Sequence, residues 1–195
     1  MNEGGAAIRN KWDRIYRETG DAIPEPAPVL ADNAHLLPAA GIALDFACGL
    51  GGNALFLAQQ GLDTHAWDIS PEAIRRLNAY ARRLGVALRS EIRDVMECPP
   101  VEESFDVIVV SRFLERSLAP AISAALKPGG LLFYQTYTRE KVAEVGPTNP
   151  AFLLDTNELL RLFSSLRLVF YREEGQIGDP ARGARNQAFF VGRKT

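Results

Sequence analysis

The densest chemistry in the chain lies in one short run, Leu44-Asp45-Phe46-Ala47-Cys48-Gly49-Leu50-Gly51-Gly52-Asn53. An apolar stretch that ends in glycines and feeds a helix brings backbone N–H groups close to a ligand that side chains would hold away. Two kinds of ligand suit such a turn. Gly49, Gly51 and Ala54 satisfy the G-x-G-x-x-G/A spacing of a dinucleotide turn, with Asp68 as its acidic ribose partner. Asp45 argues the other way, because a carboxylate just ahead of Gly49 would meet a pyrophosphate with negative charge. A ligand carrying an ammonium and a sulfonium would instead donate hydrogen bonds to that carboxylate.

These residues need a frame, and the pattern around them supplies one. Residues 42 to 49 read as a first strand, followed by a helix that ends at Gly61, where a left-handed residue can close it. Residues 62 to 70 give a second strand. Ser70 then caps a helix with Pro71 at its first position and Glu72 in its first turn, running to Gly85 with an arginine-rich outer face. Residues 86 to 94 alternate as a third strand, and the continuous apolar run 105 to 111 suits a central strand buried on both faces. A helix over 114 to 130 stops at Pro128 and Gly129, with Pro120 splitting or starting it, and 131 to 138 is a fifth strand. Asp155 and Glu158 have capping-box spacing ahead of a further helix. Residues 167 to 174 and 186 to 193 read as closing strands in an antiparallel hairpin. Alternation of strands and helices predicts an α/β domain with a mostly parallel sheet.

Residues 1 to 40 differ. Ile8, Trp12, Ile15 and Tyr16 have helical spacing, and a segment punctuated by Pro24, Pro26 and Pro28 follows, so a helix and an irregular arm are expected. The division is therefore an N-terminal helix and arm, 1–40, forming a lid over the strand ends, and a main domain, 41–195.

Composition removes several classes. The chain has 195 residues, 47% apolar, with 22 Lys+Arg against 24 Asp+Glu, which is the profile of one globular domain rather than a disordered or collagen-like chain. A formal charge of −2 gives no global excess with which to hold nucleic acid phosphates. The arginines at 75, 76, 82, 83, 89 and 93 read as a solvated face. Two cysteines and two histidines make neither a disulfide framework nor a zinc ligand set, so no metal is expected. No apolar run reaches the ~18 residues of a membrane span, and the N-terminus lacks a signal-like apolar region. A cytoplasmic protein, monomer or homodimer, with no membrane or nucleic acid partner, is the expectation.

The order of these motifs resembles the class I S-adenosylmethionine-dependent methyltransferases. The resemblance rests on LDFACGLGG, on Asp68 ending the second strand, on Asp94 in RDVMECPP, on FDVIVVS and on ALKPGGLLFY, which together cover residues 42 to 137. The flanks resemble the bacterial tellurite-resistance and thiopurine-type group: Lys11-Trp12-Asp13-Arg14-Ile15-Tyr16 is similar to its W-D-x-x-Y, Gly52-Asn53-Ala54 to its R-N-A, and Gly146-Pro147 with AFFVGRK to its C-terminal pattern. Gly52 stands where that group has arginine, and Ala47 where it has glycine.

The resemblance implies a Rossmann-like three-layer sandwich with a seven-stranded sheet and an antiparallel C-terminal hairpin. It also implies S-adenosyl-L-methionine as cofactor, S-adenosyl-L-homocysteine as product, and methyl transfer to a small-molecule acceptor such as a thiol, selenium or tellurium species. Backbone at Phe46, Ala47, Cys48, Gly49 and Gly51, with Asn53, would pass the methionine moiety, and Asp45 would orient its amino group. Asp68 would accept the ribose hydroxyls beside Ile69, Asp94 the adenine amino group, and Val95 would donate to a ring nitrogen. Ser111 and Arg112 would follow the fourth strand next to the methyl, with Trp12 and Tyr16 in the lid or in ordinary packing. No side chain stands out as a catalytic base. Strand four is followed by SRFL rather than the N/D-P-P-Y/F tetrad of enzymes that methylate nucleic acid bases. A nicotinamide oxidoreductase and a non-catalytic S-adenosylmethionine-binding protein remain open alternatives.

Overall fold

The computed structural model describes residues 3–195. In chain order its elements are α1 (Glu3–Glu18), α2 (Pro28–Ala31), β1 (Ile42–Phe46), α3 (Gly52–Gln59), β2 (Asp63–Asp68), α4 (Pro71–Leu84) and β3 (Arg89–Ile92). There follow β4 (Phe105–Ser111), α5 (Ala119–Ala125), β5 (Leu126–Tyr137), α6 (Glu158–Leu162), β6 (Arg167–Arg172) and β7 (Gln187–Arg193). The strands form one sheet in the order β3-β2-β1-β4-β5-β7-β6. Pairing is parallel from β3 through β5, and β7 runs antiparallel to both its neighbours. The chain winds from β1 toward β3 on one side and toward β5 on the other. Sheets wound this way open a crevice at the carboxyl ends of the strands where the direction reverses, here between β1 and β4.

Period-two alternation sends the strand residues to two separate cores. Leu44, Phe46, Ile108, Val110, Leu132 and Tyr134 face α5 and α6, represented by Ile122 and Leu159. Ala43, Val107, Val109, Phe133 and Val191 face the other way, onto Val29 and Leu30 of α2 and Leu57 of α3. On that same side Ala66 packs with Leu55, Ile74 and Leu77 of α3 and α4. Asp45 lies two residues on from Ala43, so its carboxylate enters this second layer, beneath the start of α3.

Several local expectations meet a different outcome. The expected helix over 114 to 130 is a 3-10 turn at Arg116–Leu118 followed by the short α5, with Pro120 in its first turn, where the missing N–H costs nothing. Lys127, Pro128, Gly129 and Gly130 belong to β5, which pairs with β4 already at Leu126, the register slipping between Phe105 and Val107. β3 spans Arg89–Ile92 alone, because Val86 and Leu88 pack against the core at the end of α4. Only half of the capping box forms: Glu158 Oε2 accepts from the Asp155 N–H at 2.8 Å, while the Asp155 carboxylate pairs with Arg139.

The arm is more than a connector. Val29 and Leu30 are fully buried, and the Ala27 and Val29 N–H groups donate to Asn53 Oδ1 and Gln135 Oε1, each at 2.8 Å. Beyond it, Leu36 and Pro38 line a cavity of about 450 Å³ with Asp106, Gly129 and Arg193, at the amino ends of the strands.

Arg76 departs from the solvated face assigned to the arginines of α4, being only 6% exposed. Its guanidinium donates to the carbonyls of Tyr16, Thr19 and Gly20 and to the Tyr80 hydroxyl. A helix leaves its last carbonyls without partners, and a cation there also meets the negative end of the helix dipole. Arg76 thus clamps the end of α1 to α4. Replacement Arg76→Met should free those carbonyls and cost about 2–4 kcal/mol of stability. Hydrogen–deuterium exchange should show the loss concentrated in residues 5–19 with the sheet unchanged; uniform exchange along the chain would contradict the clamp.

Candidate functional site

The sharp turn after β1 is built from backbone conformations that few residues accept. Ala47, Gly49 and Gly51 all have positive φ, at 54°, 54° and 81°. The Cys48 N–H extends the ladder to the Trp67 carbonyl at 2.8 Å, and the Gly51 N–H closes the turn onto the Cys48 carbonyl at 2.9 Å. A Cβ on Gly51 would stand 2.3 Å from Leu77 Cδ1, so the glycine is required both by conformation and by the approach of α4. Ala47 takes the left-handed conformation without being glycine, at a cost of roughly 1–2 kcal/mol. Such strain concentrates at functional sites.

Gly52 has its own explanation. A Cβ there would lie 2.5 Å from the Glu25 carbonyl oxygen, because the arm crosses over the start of α3. The backbone of Pro24 and Glu25 fills the place into which a side chain at this position would project.

Two carboxylates lie beneath the turn. Asp45 is fully buried; Oδ2 accepts from the Ala54 N–H at 3.0 Å and Oδ1 from Asn53 Nδ2 at 3.2 Å. Asn53 also donates to Ser111 Oγ at 3.0 Å, which joins the ends of β1, α3 and β4. Asp68 is 5% exposed, with Oδ2 accepting from the Gly49 N–H at 2.8 Å and Oδ1 from the Ser70 N–H at 2.9 Å. Neither forms an ion pair with a basic side chain of the described residues. Burial, with a smaller push from Asp68, raises the Asp45 carboxyl to about 8 against the pull of its two donors. Burial also raises Asp68, opposed by the Ser70 and Gly49 N–H groups and reinforced by Asp13. Burial thus works against ionisation of both groups, and a cation bound beside them would favour their charged forms.

The other sequence-derived candidates are distributed around this centre. The Phe46 side chain belongs to the core against Phe113, leaving its backbone for the site. Cys48 is buried, and its thiol is held well above its ordinary range by burial and by both carboxylates. Ile69 lies between Asp68 and the capping Ser70. Asp94, just past β3, turns back to accept from the Met96 N–H at 3.0 Å, and Val95 is buried in the main core. The Arg93 N–H donates to the Asp68 carbonyl at 2.8 Å, so this segment adjoins the end of β2. Arg112 follows Ser111 in a left-handed conformation, φ 55°, with its side chain exposed and its N–H on the Gln135 carbonyl.

Trp12 and Tyr16 stack with ring centroids 5.6 Å apart. The Tyr16 hydroxyl reaches the turn itself, 2.9 Å from where a Gly49 Cβ would stand, and burial beside Asp68, Cys48 and Asp45 keeps it protonated. Sequence reasoning gave no role to Asp13 or Gln135. Asp13 reaches the Ser70 hydroxyl and the Glu72 N–H, and Gln135 bridges the Val29 N–H and Gln187. The signals for Asp13 were its place in the stretch similar to W-D-x-x-Y and its helical spacing to Tyr16, which sets both on one face of α1. Among the described residues no group of three or more His, Cys, Asp and Glu gathers to hold a metal ion, and no helix is long and apolar enough to cross a membrane.

Comparison with known proteins bears on the fold and the family. Residues 43–130 match the family described as "Methyltransferase domain". The chain is 30% identical over 148 residues to the ubiquinone biosynthesis O-methyltransferase of Xanthomonas axonopodis pv. citri, an alignment covering 71% of this chain and 61% of that protein. It is 31% identical over 87 residues to the probable S-adenosyl-L-methionine-dependent methyltransferase TehB of Haemophilus influenzae, covering 43% of this chain and 30% of that one. The chain thus spans less than two thirds of the length of these relatives. Among solved structures, TehB from Haemophilus influenzae superposes with a TM-score of 0.69 at 21% identity, over 96% of this chain and 67% of that one. A structure from work on the conversion of a disulfide bond into a thioacetal group during echinomycin biosynthesis superposes with a TM-score of 0.73 at 23% identity, over 96% and 92%. The family match over residues 43–130 and these relatives support a place among the class I S-adenosylmethionine-dependent methyltransferases. The two TehB matches support a likeness to the tellurite-resistance group. The dinucleotide alternative is not favoured.

Two outcomes follow from the turn and its carboxylates. Gly51→Ala should destabilise the protein by about 2–4 kcal/mol, left-handed strain adding to the overlap with Leu77, as read from urea midpoints. Asp45 supplies a pH signature. Its folded pKa of about 8 exceeds the ordinary 3.8, so the folded state binds the extra proton between those values. Its contribution to stability is full below pH 4 and is lost as pH rises through 8. Between pH 6 and 8 the ligand-free protein should lose melting temperature relative to Asp45→Asn; parallel curves would show that Asp45 does not titrate there.

Proposed function

We propose that this chain binds S-adenosyl-L-methionine at the glycine turn and transfers its methyl group to a small, soft nucleophile. The observation that carries the reading is the pair of buried carboxylates, Asp45 and Asp68, at the ends of neighbouring strands with N–H donors but no cation. The turn fits the group: Gly49 contributes no side chain of its own beneath the Tyr16 hydroxyl, and an ammonium and a sulfonium would draw both carboxyls into their charged, hydrogen-bond-accepting form.

In this reading Asp45 and the backbone from Phe46 to Gly51, with Asn53, hold the methionine end. Asp68 and Ile69 hold the ribose, Asp94 and Val95 the adenine, and Ser111 with Arg112 border the methyl. When bound, the sulfonium would supply a methyl carbon for in-line attack by an acceptor's lone pair, the acceptor–carbon bond forming as the S–C bond breaks and its electron pair stays on sulfur in S-adenosyl-L-homocysteine. The chain's own contribution is alignment and exclusion of water. α1 serves as the lid, with Tyr16 over the turn and Trp12 stacked behind it.

The choice of a soft acceptor rests on what surrounds the turn. Tyr16 and Cys48 are held protonated, and both oxygens of Asp45 are engaged by donors, so none is free to remove an acceptor's proton. A thiolate, selenide or reduced tellurium anion needs no such base, whereas an alcohol or amine does. Transfer from a sulfonium to an anion also cancels charge, which a water-poor site favours.

Calorimetric titration with S-adenosyl-L-methionine tests the cofactor. Asp68→Ala should weaken binding by about 2–4 kcal/mol, and unchanged affinity would remove Asp68 from the site. Release of S-adenosyl-L-homocysteine across a panel of thiol, selenide, catechol and amine acceptors tests the acceptor class. Turnover confined to catechols or amines would overturn the soft-nucleophile assignment.

A further inference from the structure

We infer that Asp13 is a positioning residue that couples the seating of α1 to the orientation of Asp68; this rests on the cofactor reading above. Asp13 belongs to the outermost helix, yet it is 8% exposed. Its Oδ1 accepts from the Ser70 hydroxyl and, at 3.1 Å, from the Glu72 N–H. Its other oxygen lies 3.6 Å from Arg17, whose side chain is mostly in solvent. Asp13 therefore sits over the first turn of α4, where negative charge is favoured, although it comes from a different helix.

Ser70 links three elements. Its Oγ accepts from the Ala73 N–H at 3.1 Å as the cap of α4, its hydroxyl proton goes to Asp13, and its own N–H donates to Asp68 Oδ1 at 2.9 Å. The second oxygen of Asp68 takes the Gly49 N–H at 2.8 Å. Above Gly49 lies the Tyr16 hydroxyl, carried by α1 one turn beyond Asp13. The contacts thus form a closed circuit: Asp13, Ser70, Asp68, Gly49, Tyr16, and back along α1.

Physical consequences follow from the closure. Moving α1 takes away the acceptor that fixes the Ser70 hydroxyl and uncovers Gly49 in the same step, so both groups that hold Asp68 change together. A ligand gripped by Asp68 conversely favours the arrangement in which Asp13 is seated. Arg76 holds the carbonyls of Tyr16, Thr19 and Gly20, so the C-terminal end of α1 stays tethered to α4.

The test uses S-adenosyl-L-homocysteine as probe, with calorimetry for affinity and hydrogen–deuterium exchange for residues 5–19. Asp13→Ala is expected to weaken binding about tenfold and to abolish the slowing of exchange that the probe produces in the wild type. Asp13→Asn keeps an acceptor for Ser70 and Glu72 and should recover affinity to within about threefold of wild type. Combining Asp13→Ala with Ser70→Ala should be no worse than the weaker single variant, because both cut one link. Wild-type affinity in a folded Asp13→Ala, or losses that add in the double variant, would overturn the inference. Should Asp13→Ala fail to fold, Ser70→Ala must show the same loss of probe-dependent protection, and full protection in it overturns the inference equally. A wild type that ignores the probe sinks the cofactor reading itself; a wild type that binds beside an indifferent Asp13→Ala removes only the role of Asp13.

Discussion

Two carboxylates without cations, at the carboxyl ends of adjacent parallel strands, set the terms for everything around them. A buried carboxylate is tolerated only with donors or an opposite charge close by. Asp45 and Asp68 have the donors alone: the N–H groups of Ala54, Gly49 and Ser70 and the amide of Asn53. Those donors exist because the chain bends sharply after β1 and again after β2, presenting the first turns of α3 and α4 to the strand ends. The left-handed residues of the first bend, the proline and serine that open α4, and the close packing of Leu77 on Gly51 all serve that presentation.

The same constraint explains why an N-terminal helix lies against the site. α1 brings a carboxylate to the start of α4 and a phenol to the glycine turn, and Arg76 takes up its terminal carbonyls. The buried arm behind it adds N–H groups that engage Asn53 and Gln135, side chains at the ends of the strand-to-helix bend and of β5. Fold membership leaves the acceptor undecided, since one architecture carries many chemistries. Protonated Tyr16 and Cys48 and the occupied oxygens of Asp45 favour a soft nucleophile.

Much of this was legible along the chain. The alternation of apolar runs with helical stretches located all seven strands, and the Gly-rich connection between the closing two suits an antiparallel hairpin better than another crossover. Ser70, Pro71 and Gly85 marked both ends of α4 through local chemistry alone. Legibility failed where a residue's meaning depends on something distant. The segment from Leu126 to Gly130 looks like the end of a helix, yet β4 recruits it into the sheet. Arg76 looks like its solvated neighbours until α1 supplies carbonyls for it.

By itself, then, the sequence determined the succession of strands and helices, the glycine bend, and the acidic residues at its edges. These are properties of spacing over a few residues, and the backbone obeys them locally. Tertiary structure alone decided which arginine is buried, which carboxylate of α1 reaches Ser70, where Tyr16 comes to rest, and that the arm fills the space beside Gly52. Each of those outcomes depends on the desolvation of a polar group by an element remote in sequence, and desolvation is a property of the assembled packing rather than of any stretch of chain.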